Sequence, residues 1–262
     1  MPVATGGRGC SDKVGDVIRV GVVGARGRMG MAVMAAVKDA GDCEIACAVD
    51  AGDDHSGLAT CDVIVDFTTP DVVMSTLERC IAEGVHCVVG TTGFDEARLA
   101  TVAAWCEENP SVGVLIAPNF GIGAVLMMQF AAKAAAYFES AEIIELHHPD
   151  KVDAPSGTAR HTADLIGRAR VEAGLGDVPD ATGQSLDGAR GAVVSGVHVH
   201  SVRARGLIAH QEVVFGGPGE TLTIRHDSMD RSSFMPGVLL GIRRVGAHPG
   251  LTVGLDGYLA GS

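Results

Sequence analysis

The sequence predicts an α/β protein with two regions: a doubly wound parallel sheet, followed by an α+β region whose sheet is mostly antiparallel. Short β-branched runs alternate with helical patterns as far as Phe120, which is typical of a parallel sheet covered by helices. A glycine-rich turn joins the first run to the first helix. After residue 191, apolar residues alternate with His, Arg and Thr, as in antiparallel strands with one polar face.

The first region is predicted to be an alternation of strands and helices. Predicted strands cover residues 18–23, 43–49, 62–66, 86–89 and 112–116, and predicted helices cover residues 28–40, 70–81 and 97–106. Pro70 stands at the first position of its helix, where its fixed backbone angle is favourable. Ligands of such sheets bind beyond the carboxyl ends of the strands, so the loops that follow the strands are the candidate binding loops.

The second region begins after Phe120. Predicted helices cover residues 121–137, 158–173 and 232–245, predicted strands cover residues 142–146, 192–203, 207–215 and 220–226, and residues 174–191 are predicted to be a loop. We therefore expect one domain formed by residues 18–118 and 231–262, with a second domain, residues 119–230, inserted in it. Residues 1–17 are expected to be a flexible extension.

The composition excludes several classes of protein. A net charge of −12 argues against a nucleic-acid partner, because attraction to phosphates needs a basic face. The apolar stretch over residues 121–138 is interrupted by Gln129 and Lys133, so no membrane span is expected. The seven cysteines have no zinc-finger spacing, so we expect reduced thiols, no metal and a location in the cytoplasm.

The first candidate binding loop is the turn after the first predicted strand. Its sequence is Gly24-Ala25-Arg26-Gly27-Arg28-Met29-Gly30, a G-x-x-G-x-x-G spacing at a strand-to-helix junction. Glycines there allow a tight turn and a close approach to a pyrophosphate, and the helix start favours the anion. Asp50 ends the second predicted strand, where a carboxylate accepts hydrogen bonds from an adenine ribose. These features predict a Rossmann-like dinucleotide site.

The choice between NADH and NADPH depends on the charges of this loop. Asp50 would repel a 2′-phosphate, whereas Arg26 and Arg28 would attract it. We expect NADH to be preferred, with NADPH as the alternative. Two further loops, Gly90-Thr91-Thr92-Gly93 and Ala117-Pro118-Asn119-Phe120-Gly121, also follow predicted strands and are expected at the same edge of the sheet. Seen in isolation, each could equally be an ordinary turn.

The most informative segment is Glu145-Leu146-His147-His148-Pro149-Asp150-Lys151-Val152-Asp153-Ala154-Pro155-Ser156-Gly157-Thr158-Ala159. Imidazoles and a lysine can supply protons, and the amides of a helix that starts near Ser156 can bind a carboxylate. The pattern favours proton-coupled chemistry on an anionic substrate, expected to be a dicarboxylate. Adjacent histidines on a strand point to opposite faces, so one of His147 and His148 lines a given pocket unless the strand ends there.

The sequence disfavours two other functions of this segment, metal binding and nucleophilic catalysis by serine. His147, His148 and Asp150 are possible metal ligands, but no distant ligand completes the set. Ser156 lacks the surroundings of a nucleophilic serine. His198 and His200, on a later strand, are expected to lie on one polar face of the sheet.

With these motifs in view, the chain resembles the 4-hydroxy-tetrahydrodipicolinate reductases, formerly called dihydrodipicolinate reductases, of bacterial lysine and diaminopimelate synthesis. The likeness extends over about residues 18–259. It is carried by the glycine loop, by Asp66-Phe67-Thr68-Thr69-Pro70, by the two further loops and, most specifically, by the run from His147 to Thr158.

The resemblance implies that this chain reduces a cyclic imine dicarboxylate to tetrahydrodipicolinate with NADH or NADPH. His147 and Lys151 correspond to the proton-transferring residues, and His148, Ser156, Gly157 and Thr158 to the substrate site. The cofactor site would comprise Gly24, Ala25, Arg26, Gly27, Arg28, Met29, Asp50, Gly90, Thr91, Thr92, Ala117, Pro118, Asn119 and Phe120.

The resemblance further implies a cytoplasmic homotetramer that associates through the second, substrate-binding and oligomerisation domain. Thr69 stands where some family members have arginine, and no arginine follows Asp50, which argues against recognition of a 2′-phosphate. Two other functions remain open at this point. One is a dehydrogenase of an open-chain dicarboxylate, and the other is a non-catalytic sensor of NADH.

Overall fold

The computed structural model describes residues 17–259. The predicted flexible extension therefore lies outside the described residues, except for Val17, as do residues 260–262. The described strands are β1 (Ile18–Val23), β2 (Cys43–Val49), β3 (Val63–Asp66), β4 (His86–Val89), β5 (Gly113–Ile116), β6 (Ser140–His147), β7 (Ala192–Val194), β8 (Val197–Arg203), β9 (Ala209–Gly217), β10 (Glu220–Ser228) and β11 (Gly250–Val253). The described helices are α1 (Arg28–Asp39), α2 (Pro70–Ala82), α3 (Glu96–Glu108), α4 (Ile122–Ala135), α5 (Gly157–Glu172), α6 (Met235–Arg244) and α7 (Asp256–Leu259).

The first sheet is parallel and has the strand order β11-β5-β4-β3-β1-β2. Helices α1 and α6 pack on one face, and α2 and α3 pack on the other. The order of strands reverses between β1 and β3, so the loops after these strands open a crevice at the carboxyl edge of the sheet. The sequence prediction of a doubly wound parallel sheet is confirmed.

The second sheet has the order β10-β9-β6-β8-β7, and its pairs are antiparallel except for β6 with β8. Along β6, Ala141, Ile143 and Glu145 are buried beneath α4 and α5, whereas the alternate residues are on the opposite face. One apolar cluster runs from the first sheet through Phe120 and α4 to Ile143 and Phe215 of the second. The mostly antiparallel second sheet is also confirmed.

Two parts of the chain differ from the sequence prediction. The single strand predicted over residues 192–203 is a hairpin, because Ser195 and Gly196 both adopt positive φ angles (48° and 78°) and turn the chain between β7 and β8. Strand β11 was not predicted, since four residues after the last long helix carry too little periodicity. It extends the first sheet beside β5. Within residues 17–259, no helix combines the length and apolar character needed to cross a bilayer.

Candidate active site

The glycine loop is compact because two of its glycines lie so close to neighbouring backbone atoms that a side chain would not fit. Gly24 has a φ angle of +80°, and a Cβ atom on Gly30 would lie 2.1 Å from the carbonyl oxygen of Gly24. Gly27 precedes α1, whose first turn has neither an acidic residue nor a side-chain cap. The positive end of the helix dipole is therefore uncompensated by side chains, as a site for an anionic pyrophosphate requires.

Asp50 lies beside this loop at the end of β2. Its carboxylate accepts hydrogen bonds from the backbone N–H of Arg26 (2.8 Å) and of Ala51 (2.9 Å), which lower its pKa. The Arg26 guanidinium forms an ion pair with Asp53. A cavity of about 460 Å³ opens here, and its lining includes Gly24, Gly27, Asp50, His55 and Phe67. Arg28 is exposed at the start of α1, and Met29 beside it is half-buried.

Asp66, at the end of β3, connects the loops along the same edge. Its side chain is fully buried, and Oδ1 accepts hydrogen bonds from the Thr68 amide (2.9 Å), the Thr68 hydroxyl (2.7 Å) and the Thr91 hydroxyl (2.8 Å). Burial raises the pKa of Asp66. Within the described part of the chain, Oδ2 has no hydrogen-bond partner. No sequence pattern assigned a role to Asp66.

Phe67 packs between two of the predicted cofactor loops. A Cβ atom on Gly90 would lie 1.9 Å from its ring, so glycine is required at that position. The ring centroids of Phe67 and Phe120 are 5.8 Å apart. Thr92 and Pro118 border a smaller cavity of about 140 Å³. The structure thus brings the three predicted cofactor loops to one edge of the sheet.

A further cavity of about 210 Å³ lies where this edge meets the second sheet. Pro118 and Asn119 line it from the first sheet, and His147, Ser156 and Thr158 line it from the second. The remaining lining residues are Ala124, Met127, Ala209, His210, Gln211, His226, Ser228 and Phe234. The Asn119 amide nitrogen donates to the Thr158 hydroxyl (3.4 Å), so the third cofactor loop contacts the predicted substrate segment directly.

His147 is the last residue of β6 and is held by a buried carboxylate. Its Nδ1 is hydrogen-bonded to Glu145 Oε2, and Glu145 has no exposed surface. Arg203 binds both carboxylate oxygens at 2.8 Å. Burial lowers the pKa of His147, and Lys151 and Arg203 lower it further, while Glu145 opposes the shift. Ser156 caps α5 by accepting the Ala159 N–H, and its own N–H donates to Glu145.

Lys151 and His148 lie outside this cavity. The Lys151 ammonium donates to Asp153 Oδ1 at 2.6 Å, and His148 is exposed where β6 has ended. Of the adjacent histidines, only His147, the last residue of β6, lines the cavity; His148 lies beyond the end of the strand, so the alternation of side chains does not decide its orientation. Gly157 is exposed at the first position of α5. The functions assigned to these residues stay predictions.

Several residues at or behind the cavity wall carried no functional prediction. Glu145 is two positions before His147 on one strand, so it shares the same face, and this spacing could have identified it. Arg203 is paired with His147 through the parallel register of β6 and β8, which no local pattern indicates. Gln211 is buried and donates to the Thr162 hydroxyl (2.8 Å), which donates to the Thr158 carbonyl (2.8 Å).

Comparison with known sequences now decides the family. The model described as dihydrodipicolinate reductase, N-terminus, matches residues 18–120, and the model described as dihydrodipicolinate reductase, C-terminus, matches residues 123–259. The chain belongs to the dihydrodipicolinate reductase family. This confirms the resemblance inferred from the motifs. The dinucleotide-binding fold of this family implies the use of NADH or NADPH.

Relatives match this chain along nearly its whole described length. The 4-hydroxy-tetrahydrodipicolinate reductase of Cutibacterium acnes is 63% identical over 243 residues, which cover 93% of this chain and 99% of the relative. That of Thermobifida fusca is 64% identical over 244 residues, with the same coverage of 93% and 99%. The dipicolinate-bound dihydrodipicolinate reductase from Paenisporosarcina sp. TG-14 has a similar structure, with 39% identity, a TM-score of 0.85, and coverage of 92% of this chain and 99% of that one.

Proposed function

We propose that this chain catalyses the NADH- or NADPH-dependent reduction of the cyclic imine dicarboxylate derived from 4-hydroxy-tetrahydrodipicolinate, giving tetrahydrodipicolinate for lysine and diaminopimelate synthesis. The observation that carries the proposal is the cavity in which Pro118 and Asn119, at the cofactor edge, face His147, Ser156 and Thr158. Family membership supports the same reaction. The domain division proposed from the sequence, residues 18–118 with 231–262 for the dinucleotide and 119–230 for the substrate, places this cavity at the junction.

The dinucleotide fits the first sheet because the start of α1 lacks an acidic residue and a side-chain cap, and because the adjoining cavity is large. The glycine loop would hold the pyrophosphate and Asp50 the adenine ribose. When bound, the nicotinamide supplies a hydride to the conjugated double bond of the substrate. We assign the remaining contacts with the cofactor to the loops that contain Gly90–Thr92 and Ala117–Phe120.

The residues of the second sheet would bind the substrate and manage protons. His147 presents Nε2 to the cavity, because Nδ1 is occupied by Glu145. Amides at the start of α5 and the side chains of Ser156, Thr158 and His148 would bind carboxylate. Lys151 would become a second proton donor and a counter-charge once it leaves Asp153. Holding the reactants in contact contributes about 7–11 kcal/mol relative to a bimolecular encounter.

Turnover tests the reaction directly. NADH absorbance is followed after the fresh condensation product of aspartate semialdehyde and pyruvate is added to the enzyme. His147→Ala and Lys151→Ala should each lower kcat by about 100-fold or more, the usual scale for losing a catalytic acid. No turnover by a folded enzyme that binds NADH would refute the proposal and favour a sensor. Preference for an open-chain oxo or amino acid would favour another dehydrogenase.

NADH is proposed as the preferred cofactor. Asp50 and Asp53 put two carboxylates beside the predicted adenosine pocket, and Asp53 already neutralises the Arg26 guanidinium. This arrangement disfavours a 2′-phosphate. Measuring kcat/KM with each cofactor tests the preference, and a higher value with NADPH would contradict it.

We also propose a homotetramer that associates through the second sheet, and a location in the cytoplasm. The sheet face opposite α4 and α5 carries half-buried Ile144, Leu146 and Val214, and sheet faces of this kind associate by burying apolar area. The six cysteines within residues 17–259 are unpaired thiols, which supports a reducing compartment. Sedimentation equilibrium tests the tetramer, and a monomer at micromolar concentration would contradict it.

A further inference from the structure

One carboxylate in the second sheet joins three parts of the candidate active site. Glu145 is fully buried, and its oxygens accept hydrogen bonds from His147 Nδ1, from both terminal nitrogens of Arg203, and from the Ser156 N–H (3.2 Å). A third bond from Arg203 reaches the Asp153 carbonyl (2.8 Å). One ion pair therefore holds both ends of the loop between His147 and Ser156, and also its backbone at Asp153.

This geometry fixes the hydrogen positions of His147. A carboxylate ion only accepts hydrogen bonds, so Nδ1 carries a proton and Nε2 is the ring nitrogen available to a ligand. The bidentate Arg203 prevents the carboxylate from rotating, since both of its oxygens are occupied. The Ser156 amide bond sets the start of α5 relative to the imidazole.

We propose that Glu145 and Arg203 are positioning residues that set the orientation and the proton affinity of His147 and hold it in register with the carboxylate-binding start of α5. The inference rests on the proposed function, in which His147 transfers a proton to the reduced substrate. The two residues have opposite electrostatic effects on the imidazole. Glu145 favours its protonated form, and Arg203 disfavours it.

Other groups around His147 do not reproduce these effects. Lys151 has the same sign as Arg203 but is paired with Asp153. Across the cavity, both ring nitrogens of His210 are occupied, Nδ1 by Asp227 (2.7 Å) and Nε2 by the Ile208 N–H (3.1 Å). Burial lowers the pKa of His226, which favours its neutral form.

The test compares Glu145→Gln and Arg203→Gln, which remove charges of opposite sign. The apparent pKa above which kcat falls should move down by about one pH unit in E145Q and up in R203Q. Glu83→Gln is the matched control, because Glu83 forms an ion pair with Arg79 at the surface, at the C-terminal end of α2. Circular dichroism and the Kd for NADH show whether each variant is folded. Glu145→Asp keeps the charge but moves it one methylene away from the imidazole, so it should lower the apparent pKa of kcat by less than E145Q does. It replaces E145Q in the comparison if E145Q does not fold.

A second readout does not depend on turnover. Diethyl pyrocarbonate acylates neutral imidazole, so the pH dependence of carbethoxylation at His147, followed by peptide mass mapping, reports its pKa. Opposite shifts in the two variants support the proposal even if the enzyme reduces a different substrate. Shifts in the same upward direction would mean that both variants simply expose the ring to water, and no shift would mean that the pair does not act on His147. Either result overturns the proposal.

Discussion

Gly30→Ala tests the packing that shapes the dinucleotide site. The added Cβ atom would lie 2.1 Å from the Gly24 carbonyl oxygen. Because C···O contacts are normally at least about 3.3 Å, the loop and the helix must separate by about 1.2 Å. The three nearest atoms, the carbonyl oxygen and carbon of Gly24 and the Cα of Ala25, all belong to the backbone, so no side-chain rotation can relieve the overlap. The glycine loop, rather than a flexible side chain, has to move.

This displacement should lower both the stability of the fold and the affinity for NADH. Overpacking of this kind costs about 1–3 kcal/mol, or roughly 2–12 °C in Tm for a chain of this size. A shift of about 1 Å breaks at least one hydrogen bond to a charged phosphate, and such a bond contributes about 1.5–3 kcal/mol. The Kd for NADH should therefore rise roughly 10- to 150-fold.

Fluorescence titration with NADH and thermal unfolding measure the two effects. Gly41→Ala is the matched control, because its Cβ atom would have no neighbour within 4 Å. That variant should bind NADH like the wild type. If G30A and G41A bind NADH with affinities within threefold of each other, the loop does not depend on close packing at Gly30 and the reasoning is wrong.

Three further predictions address the carboxylates of the site. Asp50→Ala should raise the KM for NADH more than that for NADPH; equal losses would remove Asp50 from ribose recognition. Asp153→Asn should lower the Kd for dipicolinate, measured by calorimetry, because it removes the carboxylate that now pairs with the Lys151 ammonium. A higher Kd would mean that Asp153 has only a structural role. Burial raises the pKa of Asp66 above its ordinary value of 3.8. The free energy of unfolding of the wild type, relative to that of Asp66→Asn, should therefore fall as the pH rises from about 4 toward the folded-state pKa. Urea unfolding that shows a constant difference between the two proteins from pH 4 to 7 would contradict this.

The sequence predicted those features that depend on neighbours along the chain. The glycine loop, the strand before it and Asp50 follow from spacing, because a strand, a turn and a helix are local structures. The hairpin at Ser195 was missed although Ser195-Gly196 is a dipeptide typical of turns, because the short apolar run before it and the alternating run after it were joined into one strand. Arg203 was missed for a different reason. It is 58 residues from Glu145, and only the parallel pairing of β6 with β8 brings them together.

The distribution of charge around the cavity supports the proposed role of Lys151 in binding the substrate, although Lys151 now contacts Asp153. An acidic protein that binds a dicarboxylate needs local positive charge, yet Arg203 is neutralised by Glu145 and burial favours neutral His147 and His226. Lys151 is the cation in this segment whose partner is partly exposed, since the Asp153 side chain is 42% accessible. In the proposed function, a substrate carboxylate would therefore replace the Asp153 carboxylate beside Lys151 at little desolvation cost, whereas replacing Glu145 would expose a buried guanidinium. On the proposed roles, substrate binding and the positioning of His147 would depend on different ion pairs, so substitutions at Asp153 and Glu145 should have separable effects on KM and on the pH dependence of kcat.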